Sequence, residues 1–166
     1  MTRPLRSAGM EERRHITTRI LAMWDVSDRA MAALQPLASL LARLYVAQVF
    51  FASGLTKLRD WDITLALFAD EYHVPLLSPT AAAYAGTGGE LVLPVLLVLG
   101  LGGRLAALGL LIMNAVAVIS LSEIAPQALQ QHITWGVLLI VLCIFGVGKW
   151  SADFLLRHWI AHRAPK

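Results

Sequence analysis

Charged residues, aromatic residues and cysteines are all scarce in this chain of 166 residues. Charged residues make up 15% of it, aromatic residues make up 8%, and Cys143 is its one cysteine. A single cysteine excludes an internal disulfide and a CxxC redox pair. The hydrophobic fraction of 57% and the mean hydropathy of +0.64 exclude an ordinary soluble domain.

Several kinds of function are excluded by what the sequence does not contain. The net charge is +3, but the basic residues lie at the two ends and in short loops without interleaved aromatics, so no nucleic-acid partner is expected. The first 35 residues hold six arginines and no continuous apolar segment, so no secretory signal is expected. His132 lies eleven residues from Cys143, about 16 Å along a helix, so no metal site is expected, and His132 is interpreted as an ordinary interfacial histidine.

Four apolar segments have the length and composition of transmembrane helices. They cover about residues 37–56, 80–101, 104–122 and 132–148. The second and third are joined by the glycine-rich segment 99–103, which predicts a tight helical hairpin. The predicted fold is all-α, a polytopic membrane protein with four helices in a bundle over residues 36–150.

The basic residues predict the orientation of this bundle. Eleven Lys and Arg residues lie in the N-terminal tail, the C-terminal tail and the second-to-third turn, against Lys57 and Arg59 on the opposite side. The positive-inside rule therefore places both termini in the cytoplasm. Residues 1–35 form a basic tail, for which an interfacial helix and a partly ordered segment stay open. Residues 57–79 form an outer loop with a short interfacial helix, which Pro75 and Pro79 end before they lead into the second span. Residues 151–166 form a cytoplasmic tail.

A carboxylate in the middle of the second span is the strongest functional signal. Glu90 lies roughly 15 Å deep, and such a charge calls for a partner inside the bundle. Arg43 in the first span and Asn114 in the third are the predicted partners. Pro94 removes the hydrogen bond that the Glu90 carbonyl would accept, which adds a further acceptor at this depth.

Helical spacing supports a packed interface between the first two spans. Two stripes of buried and small residues are predicted to face each other, and Gly54 and Gly86 let the helices approach closely. The stripes consist of Arg43, Ala47, Phe50, Gly54 and Lys57 on the first span and Ala83, Gly86, Glu90, Pro94 and Leu97 on the second. The polar network either fixes helix register or handles protons, a quinone or a solute, and both roles stay open.

The chain resembles the DoxX family of small bacterial membrane proteins over roughly residues 41–153. The resemblance rests on the segments RLYVAQVFFASGLTKLRDW, YHVPLLSPTAAAYAGTGGELVLPVLLVLGLGGRLAAL and GVGKWSAD, whose motif positions include Lys57, Pro79, Arg104, Gly148, Ser151 and Asp153. It implies a four-helix bundle in the bacterial plasma (inner) membrane. Some relatives are linked to quinone-coupled sulfur oxidation or to complexes against oxidative and thiol stress.

Three functions follow as hypotheses from the residues and the resemblance together. The first is an accessory or quinone-contacting subunit of a membrane oxidoreductase system, with a quinone as the cofactor that the resemblance implies and a redox protein as partner. The second is an oligomeric carrier or channel for a small solute or a proton. The third is a membrane scaffold that recruits a soluble partner. No catalytic motif is present, so catalysis by this chain alone is not expected.

Overall fold

The computed structural model describes residues 4–163, and all regular secondary structure in that range is helical. The six helices are α1 (Pro4–Arg59), α2 (Trp61–Asp70), α3 (Pro79–Leu99), α4 (Gly103–Ser120), α5 (Pro126–Phe145) and α6 (Ala152–Arg163). Four of them contain segments long and apolar enough to cross a membrane: Leu21–Arg59, Pro79–Leu99, Gly103–Ser120 and Pro126–Phe145. The predicted all-α fold with four spans is therefore confirmed.

The observed helix ends agree better with local sequence signals, such as proline and glycine, than with the limits of the apolar segments. The fourth span begins at Pro126, not near residue 132, because proline suits the first helical position and the glutamines after it hide the helix from a hydropathy search. Gly146, with a φ of 82°, ends this helix. Gly100 ends α3 in the left-handed conformation with a φ of 68°, which makes the predicted tight turn into α4.

The chain divides into two compact units, Met1–Gln35 and Pro36–Lys166. In the first unit the described residues belong to α1, and several large apolar side chains are exposed, among them Trp24 and Met31. The second unit contains the rest of α1 and the other five helices, and everything below concerns this second unit.

The core of the second unit lies between α1, α3, α4 and α5. Its buried apolar residues are Val46, Phe50, Leu97, Ala106, Ala107, Leu110, Leu139, Leu142 and Val147. The stripes of α1 and α3 meet here: a Cβ on Gly54 would lie 2.9 Å from Leu91 Cγ and 3.1 Å from Glu90 Cβ. A side chain at position 54 would thus push the two helices apart, and the glycine permits their contact.

Helix α2 covers one end of the bundle. Phe68 of α2 packs with Ala82 and Ala83 of α3 in a second apolar cluster. The prediction that Pro75 and Pro79 end α2 is wrong, because the helix stops at Asp70. The prediction that they lead into the second span is confirmed for Pro79, the first residue of α3 after the capping Ser78. Proline cannot continue a helix, but it readily begins one.

The segment after α2 is tied to the end of α4. The His73 backbone N–H donates to the Ser120 carbonyl at 2.9 Å, and Tyr72 pairs with Leu121 in an isolated bridge. We call this end of the bundle the Lys57 end: it comprises the end of α1, α2, the starts of α3 and α5, and the end of α4. The opposite end, with residues 36–43, the end of α3, the start of α4 and α6, is the Arg43 end.

Candidate functional site

An ion pair joins α1 to α3 at the Lys57 end. Lys57 Nζ lies 2.7 Å from Glu90 Oε2 and 2.8 Å from Oε1, so the ammonium bridges both carboxylate oxygens. Ser53, one turn before Lys57, accepts from Nζ at 2.9 Å and donates to Glu90 Oε1 at 3.2 Å. The two charged side chains are 20% and 14% exposed, so water or a ligand can reach them.

The predicted network of Arg43, Glu90 and Asn114 is not what the structure shows. Arg43 donates to the carbonyls of Val98 and Trp150, and Glu90 is held by Lys57 and Ser53. Val98 lies eight residues after Glu90, about 12 Å along α3. An arginine side chain that bonds to the Val98 carbonyl therefore cannot also reach the Glu90 carboxylate. The last carbonyls of a helix have no partner within it, and they attract Arg43 toward the end of α3.

Asn114, the third member of the predicted network, pairs with His132 on α5. Asn114 Nδ2 donates to the His132 carbonyl at 2.9 Å, and its Oδ1 lies 2.8 Å from His132 Nδ1. An amide oxygen only accepts, so Nδ1 is the donor in this pair. Gly136 leaves room for this contact, since a Cβ there would lie 3.3 Å from Asn114 Nδ2. The interpretation of His132 as an ordinary interfacial residue therefore needs correction.

The ion pair, Ser53 and His132 line one cavity at the Lys57 end. Its volume is about 450 Å³, which lies within the range of small-molecule sites. Its wall is mostly apolar, from α1, α3, α4 and the segment after α2, and its polar members are Ser53, Lys57, Tyr72, Glu90, Ser120, His132 and Trp135. We call this the Lys57 cavity. A few polar groups converge on an otherwise apolar space, as in sites that bind an apolar ligand with a small number of oxygens.

Two further groups around this cavity can act as hydrogen-bond donors. Trp135 Nε1 is buried and makes no hydrogen bond within the described residues, while the ring packs edge-on against Phe50 and His132. Burial raises the pKa of the Tyr72 phenol, and the negative charges of Glu90 and Glu71 raise it further. Tyr72 thus remains a neutral donor at physiological pH.

At the Arg43 end the charged side chain is closed in. Arg43 is fully buried, with Nη1 at 3.1 Å from the Val98 carbonyl and Nη2 at 2.6 Å from the Trp150 carbonyl. Gly100 lies against it: a Cβ there would lie 3.0 Å from Arg43 Nη1 and would overlap Ser151. The guanidinium joins α1, the end of α3 and the segment before α6.

Several motif positions lie at the same end. The Asp153 carboxylate accepts from the Gly102 and Gly103 N–H groups at 2.9 and 3.0 Å, which caps the start of α4. Ser151 Oγ donates to the Gly148 carbonyl at 2.8 Å. The Arg104 carbonyl accepts a weak bond from Cys143 Sγ at 3.8 Å. The motif positions thus separate: Lys57 lines the cavity, Pro79 begins α3, and the other four lie at the Arg43 end.

The fold and its four apolar helices define a multi-pass membrane protein. The chain belongs to the DoxX family, whose model matches residues 38–123. It is 30% identical over 127 residues to an uncharacterized protein of Haemophilus influenzae, and this alignment covers 71% of the present chain and 82% of that protein. No solved structure matches the chain.

A signal for the ion pair was present in the sequence. Lys57 lies on the same helical stripe as Gly54, and the stripe of α3 carries Glu90. Because the predicted first span ended at Thr56, Lys57 counted as a loop residue, whereas α1 continues to Arg59. No comparable signal marked Trp135, whose role depends on the position of α5.

Proposed function

We propose that this protein binds a lipid-soluble carbonyl compound of the quinone class in the Lys57 cavity, as an accessory subunit of a membrane redox system. The observation that carries this proposal is an apolar cavity of about 450 Å³ with the Lys57–Glu90 ion pair in its wall. A quinone has an apolar ring and two carbonyl oxygens, and it reaches its sites through the bilayer.

The cavity wall offers the donors that such carbonyl oxygens require. Trp135 Nε1 has no partner among the described residues, and Lys57 would turn one of the three N–H groups that now bond to Ser53 and Glu90 toward the ligand. Glu90 beside them is paired with the Lys57 ammonium and keeps it oriented toward the cavity. A redox partner would supply or remove the electrons, since the chain has one cysteine and no catalytic motif.

The alternative function, a carrier or channel, has less support. A path across the bundle would have to pass the core between the cavity and the Arg43 end, where Val46, Leu97, Leu110, Leu139 and Leu142 are buried. The cavity therefore favours binding at one end over passage through the chain. The scaffold hypothesis gives no role to the cavity or its ion pair.

The proposal keeps the predicted location, a bacterial plasma membrane with both termini in the cytoplasm. The supporting observation is the excess of Lys and Arg at the termini and in the turn before α4. In this orientation the Lys57 cavity lies in the outer half of the membrane.

Quenching of tryptophan fluorescence by a short-chain benzoquinone or naphthoquinone tests the proposal in protein purified with native lipid. We expect saturable quenching, most of which is lost in Trp135→Phe and kept in Trp150→Phe, since the exposed Trp150 lies at the opposite end. Lys57→Met should weaken the affinity about tenfold or more, because it removes a charged donor. Equal affinities for the wild type and Lys57→Met, or quenching that depends on Trp150, would contradict binding in this cavity.

A further inference from the structure

A polar side chain in the membrane-spanning part of α1 has no hydrogen-bond partner among the described residues. Gln48 is exposed and makes no hydrogen bond within the described residues. It lies beside the second half of α3, from Pro94 to Leu99, so a spanning α1 places it within the apolar part of the bilayer. An amide in contact with lipid tails loses the hydrogen bonds that it makes in water, and this favours a protein partner.

The exposed residues around Gln48 follow a seven-residue repeat that occurs three times between Leu37 and Leu58. They alternate at spacings of four and three: Leu37, Leu41, Leu44, Gln48, Phe51, Leu55 and Leu58. All seven are exposed, while the opposite face of α1, with Arg43, Val46 and Phe50, is buried in the bundle. We call the seven residues the Gln48 stripe. A seven-residue repeat is the pattern of a helix that packs along its length against another helix in a left-handed pair.

A second helix has room along this stripe. A groove of about 290 Å³ lies between α1 and α3, lined on α1 by Leu44, Gln48 and Phe51 and on α3 by Pro94 and Val95 among others. The small exposed residues Ala38 and Ala52 flank the stripe, which permits close approach of a neighbouring backbone.

We propose that the Gln48 stripe is the interface of a homodimer, in which α1 packs in parallel against α1 of a second copy. Two copies inserted in the same direction are related by a two-fold axis along the membrane normal, so each residue of the stripe meets its own counterpart. An amide carries both a donor and an acceptor and is therefore complementary to a second amide. Gln48 then bonds to Gln48 of the second copy and fixes the register, as a single polar residue does in other paired helices. This proposal is independent of the ligand in the Lys57 cavity.

Cysteine crosslinking in native membranes tests the interface, in a Cys143→Ser background. Leu44→Cys and Phe51→Cys should form disulfide-linked dimers efficiently, whereas Ile140→Cys, exposed on α5, should not. Equal crosslinking at all three positions, or adducts that contain a different protein, would overturn the proposal.

Energy transfer between labelled copies in lipid nanodiscs or dilute detergent measures the part played by the amide. Gln48→Leu should raise the dimer dissociation constant about three- to twentyfold, and Gln48→Asn should restore most of the affinity. Gln127→Leu in the first turn of α5 is the matched control and should leave the constant unchanged. Leucine suits a lipid-facing helix position, so the variant should fold, and an unchanged dissociation constant in Gln48→Leu would overturn the role of the amide.

Discussion

The Arg43 end and the Lys57 end of the bundle each hold a basic side chain of α1, and the two side chains bond to different kinds of partner. Arg43 is fully buried and bonds to two backbone carbonyls, whereas Lys57 is 20% exposed and bonds to a carboxylate in a cavity wall. The two residues are fourteen positions apart on one helix, about 21 Å.

This difference gives Arg43 a structural role and makes Lys57 suited to binding a ligand. Backbone carbonyls do not change protonation state, and the Arg43 guanidinium stays charged, so this contact fixes the position of three segments. The Lys57–Glu90 pair is partly exposed in a cavity wall, so its side chains can exchange partners with a ligand. We therefore expect variants at the Arg43 end to alter stability, and variants at the Lys57 end to alter ligand affinity.

The largest loss of stability is expected for Arg43→Met. The change removes two charge-assisted hydrogen bonds and leaves the Val98 and Trp150 carbonyls without their donor. The free energy of unfolding should fall by about 3 kcal/mol. Denaturant unfolding in detergent measures this, and Arg43→Lys should recover only part of the loss because an ammonium lacks the planar fork. Quinone affinity of the folded fraction should not change. A selective loss of affinity would contradict a purely structural role for Arg43.

A smaller loss of stability, of about 2 kcal/mol, is expected for Lys57→Met, because Glu90 is left without its counter-charge in a partly buried site. The site is partly exposed, and this limits the cost. The double variant Lys57→Met/Glu90→Leu should recover much of the stability and none of the quinone affinity. If the two single losses simply add in the double variant, the pair is not coupled in solution.

The smallest effect, a loss of about 1 kcal/mol, is expected for Asp153→Ala, which removes the cap of α4 at the Arg43 end. Asp153→Asn should cost less, since an amide oxygen still accepts one of the two N–H bonds. Thermal unfolding of the wild type and the two variants gives the order of their stabilities. Unchanged quinone affinity in all three would support a purely structural role for the Arg43 end. A loss of affinity in Asp153→Ala would show that the two ends are linked.

The sequence was sufficient to predict the fold because the bilayer imposes a simple rule. Spans need about twenty apolar residues, and the glycine-rich segment 99–103 marks the turn between α3 and α4, although the start of α5 at Pro126 was missed. The helical stripes likewise placed Gly54 near Glu90. These signals are local, so a single chain contains them in full.

The partners of the polar residues were decided by the tertiary structure alone. Arg43 lay within plausible reach of Glu90 when only depth along the membrane was considered, and Asn114 lay at the same level. Which side chains meet depends on where each helix ends and how it is rotated: α1 continues to Lys57, α3 presents the Val98 carbonyl to Arg43, and α5 places His132 beside Asn114. That Arg43 and Glu90 lie inside the bundle follows from the sequence, because both belong to apolar segments long enough to cross the bilayer. The packing of the helices decided that Arg43 ties three segments together while Lys57 lines a cavity. These contacts join residues far apart in the chain, so no local pattern contains them.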